Sequence, residues 1–217
     1  MITKHLKALS CIRFIVLLFT TIAISLSPAN AMKGETGIAI FAGGCFWCVE
    51  SDFDKVPGVL ETISGYTGGT QNNPTYKTVT AGGSGHYEAV KIFYDPKKVS
   101  YEKLLNIFWR SVDPTDDGGQ FCDRGHSYKT AVFVKGDEQL KIAKTSKAMI
   151  EKKKLLKDPI VTPIIHASVF FNAEEYHQDF HNKSPARYNL YRYSCRRNKR
   201  VKSLWGKEAY SGIPKKK

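Results

Sequence analysis

The stretch IAIFAGGCFWCVE, residues 38–50, decides the fold around two closely spaced cysteines. Ile38 to Ala42 is a short apolar run that ends at two glycines, a pattern typical of a buried strand that runs into a turn. A helix is predicted to follow from about Phe46 to Val56 and to stop before Pro57. Cys45 therefore lies where a buried strand meets the N-terminus of a helix.

This position suits chemistry at Cys45. Backbone N–H groups and the positive end of the helix dipole favour a thiolate there. The preceding glycines let the backbone turn tightly and let a substrate approach. Phe46 and Trp47 then offer an apolar wall beside the sulfur, suited to an uncharged methyl-bearing group. The alternative is that Cys45 is a small buried hydrophobe with core aromatics behind it.

The rest of the chain alternates further strands and helices. Strands are predicted at Leu60–Tyr66, His86–Tyr94, Thr130–Val134 and Ile160–Phe171, and helices after Ser100 and at Asp137–Lys157. The intervening loops are Gly65–Gly85 and Asp113–Ser127, and the C-terminal remainder is predicted to be a short helix and an extended tail. Because no helix is predicted between the second and third strands, a purely parallel sheet is disfavoured. The fold class predicted is α+β, a mixed-sheet two-layer sandwich.

The N-terminus has the pattern of a secretory signal peptide over residues 1–31, with a basic start and an Ala-x-Ala ending at Ala31. An uncleaved membrane helix is the alternative, but the apolar run Phe14–Leu26 is roughly 13 residues, short of the ~20 that span a bilayer. The remaining domain, residues 32–217, is predicted to be exported to the periplasm or secreted, without stable membrane insertion.

The chain is strongly basic, with a formal net charge of +13. Removal of residues 1–31 takes away three basic residues and no acid, which lowers this charge to +10. Basic residues concentrate at 141–157, 187–202 and 215–217. Nucleic-acid binding is disfavoured, because no aromatic-basic module is present and an exported protein rarely meets nucleic acid. A solvated basic face on a monomer is expected.

Five cysteines are present, and Cys11 would leave with the signal peptide. The four that remain could form two structural disulfides in an exported protein. Cys45-x-x-Cys48 also fits a general thiol–disulfide oxidoreductase. A zinc site would need a second cysteine pair or histidines at ligand spacing, whereas Cys122 and Cys195 are isolated, so no metal is predicted.

Four motifs occur in one order along the chain. They are GCFW at 44–47 with Glu50, GYTGG at 65–69, NPTY at 73–76 and GHYEAV at 85–90. In order and spacing, over roughly residues 37–205, the chain resembles the A-type peptide methionine sulfoxide reductases. The resemblance implies a mixed α+β sandwich with a ferredoxin-like core.

The same resemblance implies the reaction. The S epimer of methionine sulfoxide, free or in oxidised proteins, would be reduced without a metal, a flavin or another cofactor. The cysteine of GCFW attacks the sulfoxide sulfur and becomes a sulfenic acid, and a second cysteine then forms a disulfide. A thioredoxin-like reductant reopens that disulfide, and oxidised proteins are thereby repaired.

The resemblance also assigns site residues. They are the nucleophile Cys45, the methyl-pocket residues Phe46 and Trp47, the acid Glu88, the oxygen-binding hydroxyls of Tyr76 and Tyr128, and the substrate-orienting loop aspartate Asp123. The reaction needs an acid and hydroxyl groups, because attack of the cysteine on the sulfoxide sulfur is easier when the sulfoxide oxygen is hydrogen-bonded and protonated. Taken singly, each could be a strand, anchor or turn residue. Glu50 is explained by the helix dipole, and His86 is interpreted as structural.

The route of thiol exchange stays open. Cys195 resembles the resolving cysteine of a C-terminal segment in one branch of the family, and Cys48 is the nearby rival. Cys122 could relay the disulfide outward. Two other hypotheses remain: a thiol–disulfide oxidoreductase built on Cys45 and Cys48, and a non-enzymatic exported binding module held together by disulfides.

Overall fold

The computed structural model describes residues 36–214, so the predicted signal peptide lies outside the described residues. The strands are β1 Gly37–Gly43, β2 Val59–Thr67, β3 Tyr87–Tyr94, β4 Gly119–Gln120, β5 Asp123–Arg124, β6 Thr130–Val134, β7 Ile164–His166 and β8 Phe171–Asn172. The helices are α1 Phe46–Phe53, α2 Tyr76–Thr80, α3 Tyr101–Trp109, α4 Gly136–Lys152, α5 Phe180–Lys183, α6 Pro185–Ser194 and α7 Arg197–Trp205. Within this described range no helix is long and apolar enough to cross a bilayer.

Six strands form one mixed sheet in the spatial order β7-β6-β1-β3-β2-β8. β6 and β7 are parallel, and the other neighbouring strands are antiparallel. β4 and β5 form a separate two-stranded ribbon. The predicted α+β fold with a mixed sheet is confirmed. β1 lies in the interior of the sheet, so the segment that leads to Cys45 is held on both edges.

Side chains of β1 are buried on both faces of the sheet. Ala39 and Phe41 belong to the larger core, where the Phe41 ring stacks on Phe108 with centroids 4.9 Å apart. Ile40 and Ala42 belong to a second apolar cluster on the opposite face. Successive strand residues point to opposite faces, so a continuous apolar run is what a strand covered on both sides requires.

Helix α3 confirms its predicted start. The Ser100 hydroxyl accepts a hydrogen bond from the backbone N–H of Lys103 at 3.1 Å, which caps the helix. Its apolar face is buried, and the Trp109 indole N–H donates to the Ser146 hydroxyl of α4 at 3.0 Å. Helix α1 ends at Phe53, earlier than the predicted Val56.

Two loop predictions miss short elements. The segment 65–85 contains α2, whose N-cap Thr75 accepts from the N–H of Thr78 at 3.3 Å. The segment 113–127 contains the β4–β5 ribbon. A single strand over Ile160–Phe171 is also wrong, because only β7 and β8 pair with the sheet, at its opposite edges. Elements this short depend on tertiary contacts more than on local pattern.

The extended C-terminal tail is a wrong prediction. Helices α5, α6 and α7 follow one another over residues 180–205. Each buries only a few residues, among them Tyr188, Arg197, Val201 and Trp205. Most other positions in these three helices are basic or polar. The repeat of apolar residues every three to four positions, which predicts a helix, is therefore weak. These helices cover α1 and complete the site.

Candidate active site

The strand-to-helix junction depends on Gly44. Its φ is +82°, and an added Cβ would lie 2.5 Å from the Cβ of Gln120. Only glycine fits both the left-handed backbone and this close approach. The turn makes Cys45 the N-cap residue of α1 and leaves its side chain buried.

Cys45 and Cys48 form a buried, free pair of thiols. Burial raises the pKa of Cys45 well above its ordinary value, and the hydrogen bond with Cys48 raises it further. The hydrogen bond from Cys45 lowers the pKa of Cys48 to about 7, and the charges of Arg197 and Arg192 also lower it. Desolvation therefore opposes the thiolate that the helix dipole was expected to favour at Cys45, and the two arginine charges favour a negative charge on Cys48.

The positive charge near Cys48 comes from two arginines of the C-terminal helices. Arg197 is buried, and its guanidinium donates to the carbonyls of Gly43 and Ser111, each at 2.9 Å. Arg192 pairs with Asp52 of α1 at 2.9 Å. Both belong to the basic stretch 187–202 that was expected to be a solvated face, so for these two residues the expectation is wrong. No sequence signal separates them from their exposed neighbours.

Glu88 lies beside the same junction. Its side chain is buried on β3, and its Oε2 accepts a hydrogen bond from the backbone N–H of Phe46 at 3.0 Å. Burial raises the pKa of Glu88 to about 8; the Phe46 N–H opposes this shift and the charge of Asp123 adds to it. Glu88 is therefore largely protonated near neutral pH and can donate a proton.

Tyr76 and Tyr128 extend this group. Their side chains hydrogen-bond to one another, and Tyr128 also hydrogen-bonds to Glu88. Burial raises the pKa of both phenols, so both stay protonated and able to donate. Two hydroxyl groups and a carboxylic acid thus converge beside a thiol, an arrangement suited to an oxygen that gains negative charge.

A pocket of about 40 Å³ joins these groups. Its lining residues are Cys45, Phe46, Trp47, Tyr76, Glu88, Asp123, Tyr128 and Tyr191. The structure thus brings together seven of the predicted site residues around one space. The two candidate resolving cysteines, Cys48 and Cys195, do not line it.

Tyr191 is the lining residue that sequence reasoning missed. Its hydroxyl donates to the Asp123 carboxylate, and its interaction with Cys45 lowers the pKa of that thiol. Burial raises the pKa of Asp123, and the hydrogen bond from Tyr191 opposes that shift. Tyr191 lies on α6, in the segment predicted to be an extended tail, and no motif marked it.

Trp47 is held in place by three neighbouring side chains. Its ring stacks on Phe180 with centroids 3.8 Å apart, and its indole N–H donates to Nδ1 of His177 at 3.0 Å. Tyr191 meets the same ring edge-on at 5.7 Å. The apolar wall of the pocket is therefore rigid, as a methyl-binding surface needs to be.

Cys122 and Cys195 form a disulfide with Cα atoms 4.9 Å apart. Cys122 directly precedes Asp123, and the Cys195 amide donates to the carbonyl of Tyr191, one helical turn away. The disulfide therefore adjoins two residues that line the pocket. Among the described residues, these sulfurs and Asp123 are the group closest to metal-ligand geometry, but the sulfurs are bonded to each other.

Two further predictions concern residues outside the pocket. Glu50 is not in the first turn of α1; it is buried, its Oε1 accepts from the N–H of Asp179 at 3.2 Å, and burial raises its pKa to about 8. The dipole explanation for Glu50 is therefore wrong. His86 accepts from the N–H of Gly69 at 3.1 Å and donates to the carbonyl of Gln71 at 2.8 Å, which agrees with a structural role.

Comparison with known proteins identifies the family. The family model described as peptide methionine sulfoxide reductase matches residues 37–209. The chain is 51% identical to peptide methionine sulfoxide reductase MsrA 2 of Rhizobium meliloti over 195 residues, covering 90% of this chain and 96% of the relative. It is 50% identical to MsrA of Bacillus licheniformis, covering 82% and 98% of the two chains.

Solved structures agree with this result. Methionine sulfoxide reductase A of Corynebacterium diphtheriae superposes with a TM-score of 0.62 at 29% identity, covering 71% of this chain and 77% of that one. Reduced Mxr1 of Saccharomyces cerevisiae superposes with a TM-score of 0.64 at 28% identity, covering 71% and 88%. The chain belongs to the peptide methionine sulfoxide reductase family, thiol-dependent oxidoreductases, as its four motifs predict.

Proposed function

We propose that this chain reduces the S epimer of methionine sulfoxide in oxidised proteins, with Cys45 as the nucleophile. The observation that carries the proposal is the convergence of the Cys45 thiol, protonated Glu88 and the Tyr76 and Tyr128 hydroxyls on one pocket walled by Trp47. Hydroxyl and carboxylic donors suit the sulfoxide oxygen, and the aromatic wall suits the substrate methyl.

The first half of the reaction oxidises Cys45. Its sulfur attacks the sulfoxide sulfur while its proton passes to the Cys48 thiolate, the partner in its hydrogen bond. Glu88 gives its proton to the sulfoxide oxygen, which the tyrosine hydroxyls hold. The oxygen is transferred to Cys45, which becomes a sulfenic acid, and methionine leaves in its reduced form.

The second half restores the thiol. The Cys48 sulfur attacks the sulfenic sulfur, a Cys45–Cys48 disulfide forms and water leaves. Thiol–disulfide exchange with reduced Cys122 and Cys195 then moves the disulfide to that pair. Cys122 is exposed, so a thioredoxin-like dithiol reaches it there and reduces it. Cys48 lies one turn from Cys45, and its amide donates to the Cys45 carbonyl at 3.0 Å; this closeness supports Cys48 as the first resolving residue, ahead of Cys195.

The rival hypotheses use fewer of these residues. A general thiol–disulfide oxidoreductase has no need for Glu88 and two tyrosines around a small pocket. A binding module held together by disulfides has no need for a free buried thiol pair. Export after cleavage near Ala31 is part of the proposal, and the mass of the protein recovered from a periplasmic fraction tests it.

The activity is tested by supplying each epimer of N-acetyl methionine sulfoxide with dithiothreitol to residues 32–217. We expect turnover of the S epimer alone. Cys45→Ser should fold normally by circular dichroism and release no methionine. If neither epimer turns over while the protein reduces insulin disulfides, the thiol–disulfide hypothesis replaces this one.

A further inference from the structure

A second cleft adjoins the catalytic pocket. It has a volume of about 480 Å³ and is lined by Trp47, Tyr76, Tyr176, His177, Phe180, Lys183, Ser184 and Arg187. Trp47 and Tyr76 line both spaces, so the cleft lies directly beside the pocket. The pocket holds little more than a sulfoxide group, and the rest of a polypeptide substrate has to lie outside it.

His177 carries an unused donor in this cleft. The side chain is 2% exposed, and its Nδ1 accepts the hydrogen bond from Trp47. The ring proton of the neutral imidazole is therefore on Nε2, which has no hydrogen-bond partner among the described residues. Burial lowers the pKa of His177, which keeps the ring neutral. A buried unpaired donor is costly unless a ligand accepts from it.

Arg187 lies at the mouth of the same cleft. Its exposed guanidinium is 5.5 Å from the centroid of the Phe180 ring, which itself stacks on Trp47. Lys183 is already paired with Glu175 at 2.7 Å, whereas Arg187 forms no ion pair within residues 36–214. An extended chain advances ~3.3–3.6 Å per residue, so a side chain one or two residues from the sulfoxide reaches Arg187.

We propose that this cleft binds the polypeptide on one side of the oxidised methionine and favours an acidic residue there. The Nε2–H of His177 donates to a main-chain carbonyl of the substrate, and Arg187 pairs with a carboxylate one or two residues from the methionine. The proposal rests on the proposed function and names its preferred substrates: oxidised polypeptides with an acidic neighbour to methionine sulfoxide.

Capped peptides with Glu, Gln or Lys one or two residues before or after methionine sulfoxide test the charge preference. With dithiothreitol as reductant, the wild-type kcat/KM for Glu should exceed that for Lys by about two- to fivefold on one side. Arg187→Glu should reverse the ratio. This variant should fold, because an acid near the N-terminus of α6 is favourable. Lys144→Glu makes the same charge change on the exposed side of α4 and should keep the wild-type ratio.

The donor of His177 is tested separately. Dimethyl sulfoxide carries the sulfoxide group but has no main chain. A disturbance of Trp47 should lower kcat/KM for dimethyl sulfoxide and for a peptide alike. The ratio of the two kcat/KM values, peptide over dimethyl sulfoxide, therefore reports the main-chain contact alone. His177→Leu should lower this ratio up to about tenfold, and His177→Gln, which keeps a donor, should restore it in part. An unchanged ratio in His177→Leu overturns the hydrogen bond.

The outcomes separate the two proposals. Equal kcat/KM for the Glu and Lys peptides in the wild type overturns the inference alone, since the reductase activity would be present. A reversal in both Arg187→Glu and Lys144→Glu also overturns it, because the preference would then reflect the overall field of the protein. If no peptide turns over, the proposed function itself fails.

Discussion

The four cysteines of the described chain form two pairs in opposite environments. Cys45 and Cys48 are free and buried at the start of α1, and Cys45 lines the pocket. Cys122 and Cys195 are joined to each other between the β4–β5 ribbon and the end of α6, with Cys122 exposed. Burial couples the first pair to nearby charges, whereas exposure opens the second to a protein reductant. One pair is placed for chemistry on substrate, and the other for exchange with a partner.

The sharpest difference between the pairs is expected in turnover. Cys45→Ser should lower kcat by on the order of 10⁴-fold or more, because the nucleophile itself is lost. Cys195→Ser should retain turnover with dithiothreitol, which reaches the buried pair directly, and lose most of it with a thioredoxin-like reductant. Steady-state rates with the two reductants measure this. Equal losses for both variants with dithiothreitol would make the two pairs a single functional unit.

A variant of Glu88 tests whether the buried surroundings of Cys45 and Cys48 also supply a proton donor. Glu88→Gln removes the proton donor and should lower kcat by about 10²–10⁴-fold. The pKa of Glu88 is raised to about 8, so the acid form is lost as pH rises through that value. Wild-type kcat should therefore fall above pH 8, and the residual kcat of Glu88→Gln should lack that limb. The same alkaline limb in both proteins would assign it to another group.

The second pair should contribute more to stability than the first. The Cys122–Cys195 bond closes a loop with a sequence separation of 73 residues. Its removal in Cys122→Ser/Cys195→Ser should lower the free energy of unfolding by about 2–4 kcal/mol, which urea denaturation under oxidising conditions measures. Cys48→Ser, which breaks no bond, is the matched control. A similar loss in the control would indicate that packing, not the disulfide, is responsible.

The smallest predicted effect concerns the number of methionines that one reduced chain releases. Fully reduced protein without added reductant should release two methionines per chain, because four thiols supply two pairs of electrons. Cys122→Ser/Cys195→Ser should release one. Rapid-quench counting of methionine in the first turnovers checks this. One methionine from the wild type would show that the second pair does not accept the disulfide from the first.

Much of the site was predictable because it depends on local pattern and on the family resemblance. The apolar run of β1 predicts a buried strand, and Ser100 predicts the start of α3. Seven site residues were assigned through the family resemblance, five of them within its four motifs, and the structure places all seven around one pocket. Their roles stay predictions until the variants are measured.

Other parts of the site could not be predicted. Tyr191 lies in a segment whose polar and basic composition hides its helices, and nothing local shows that it reaches Asp123. Arg197 has the same sequence surroundings as its exposed neighbours, yet it is buried against Gly43. Burial opposes the thiolate expected at Cys45, and the extent of burial, unlike the helix dipole, is not visible in the sequence.

The sequence by itself determined the family, the mixed α+β fold, the strand-to-helix junction at Cys45 and the residue types around the pocket. The fold and the junction follow from periodicity and turn residues, which are local properties of a chain, whereas the family and the pocket residues follow from the resemblance of the motifs. Only the tertiary structure decided that arginine charges lower the pKa of Cys48, that Cys122 pairs with Cys195 and that His177 keeps an unused donor. Desolvation and pairing depend on which distant residues pack together, and spacing along the chain does not report that.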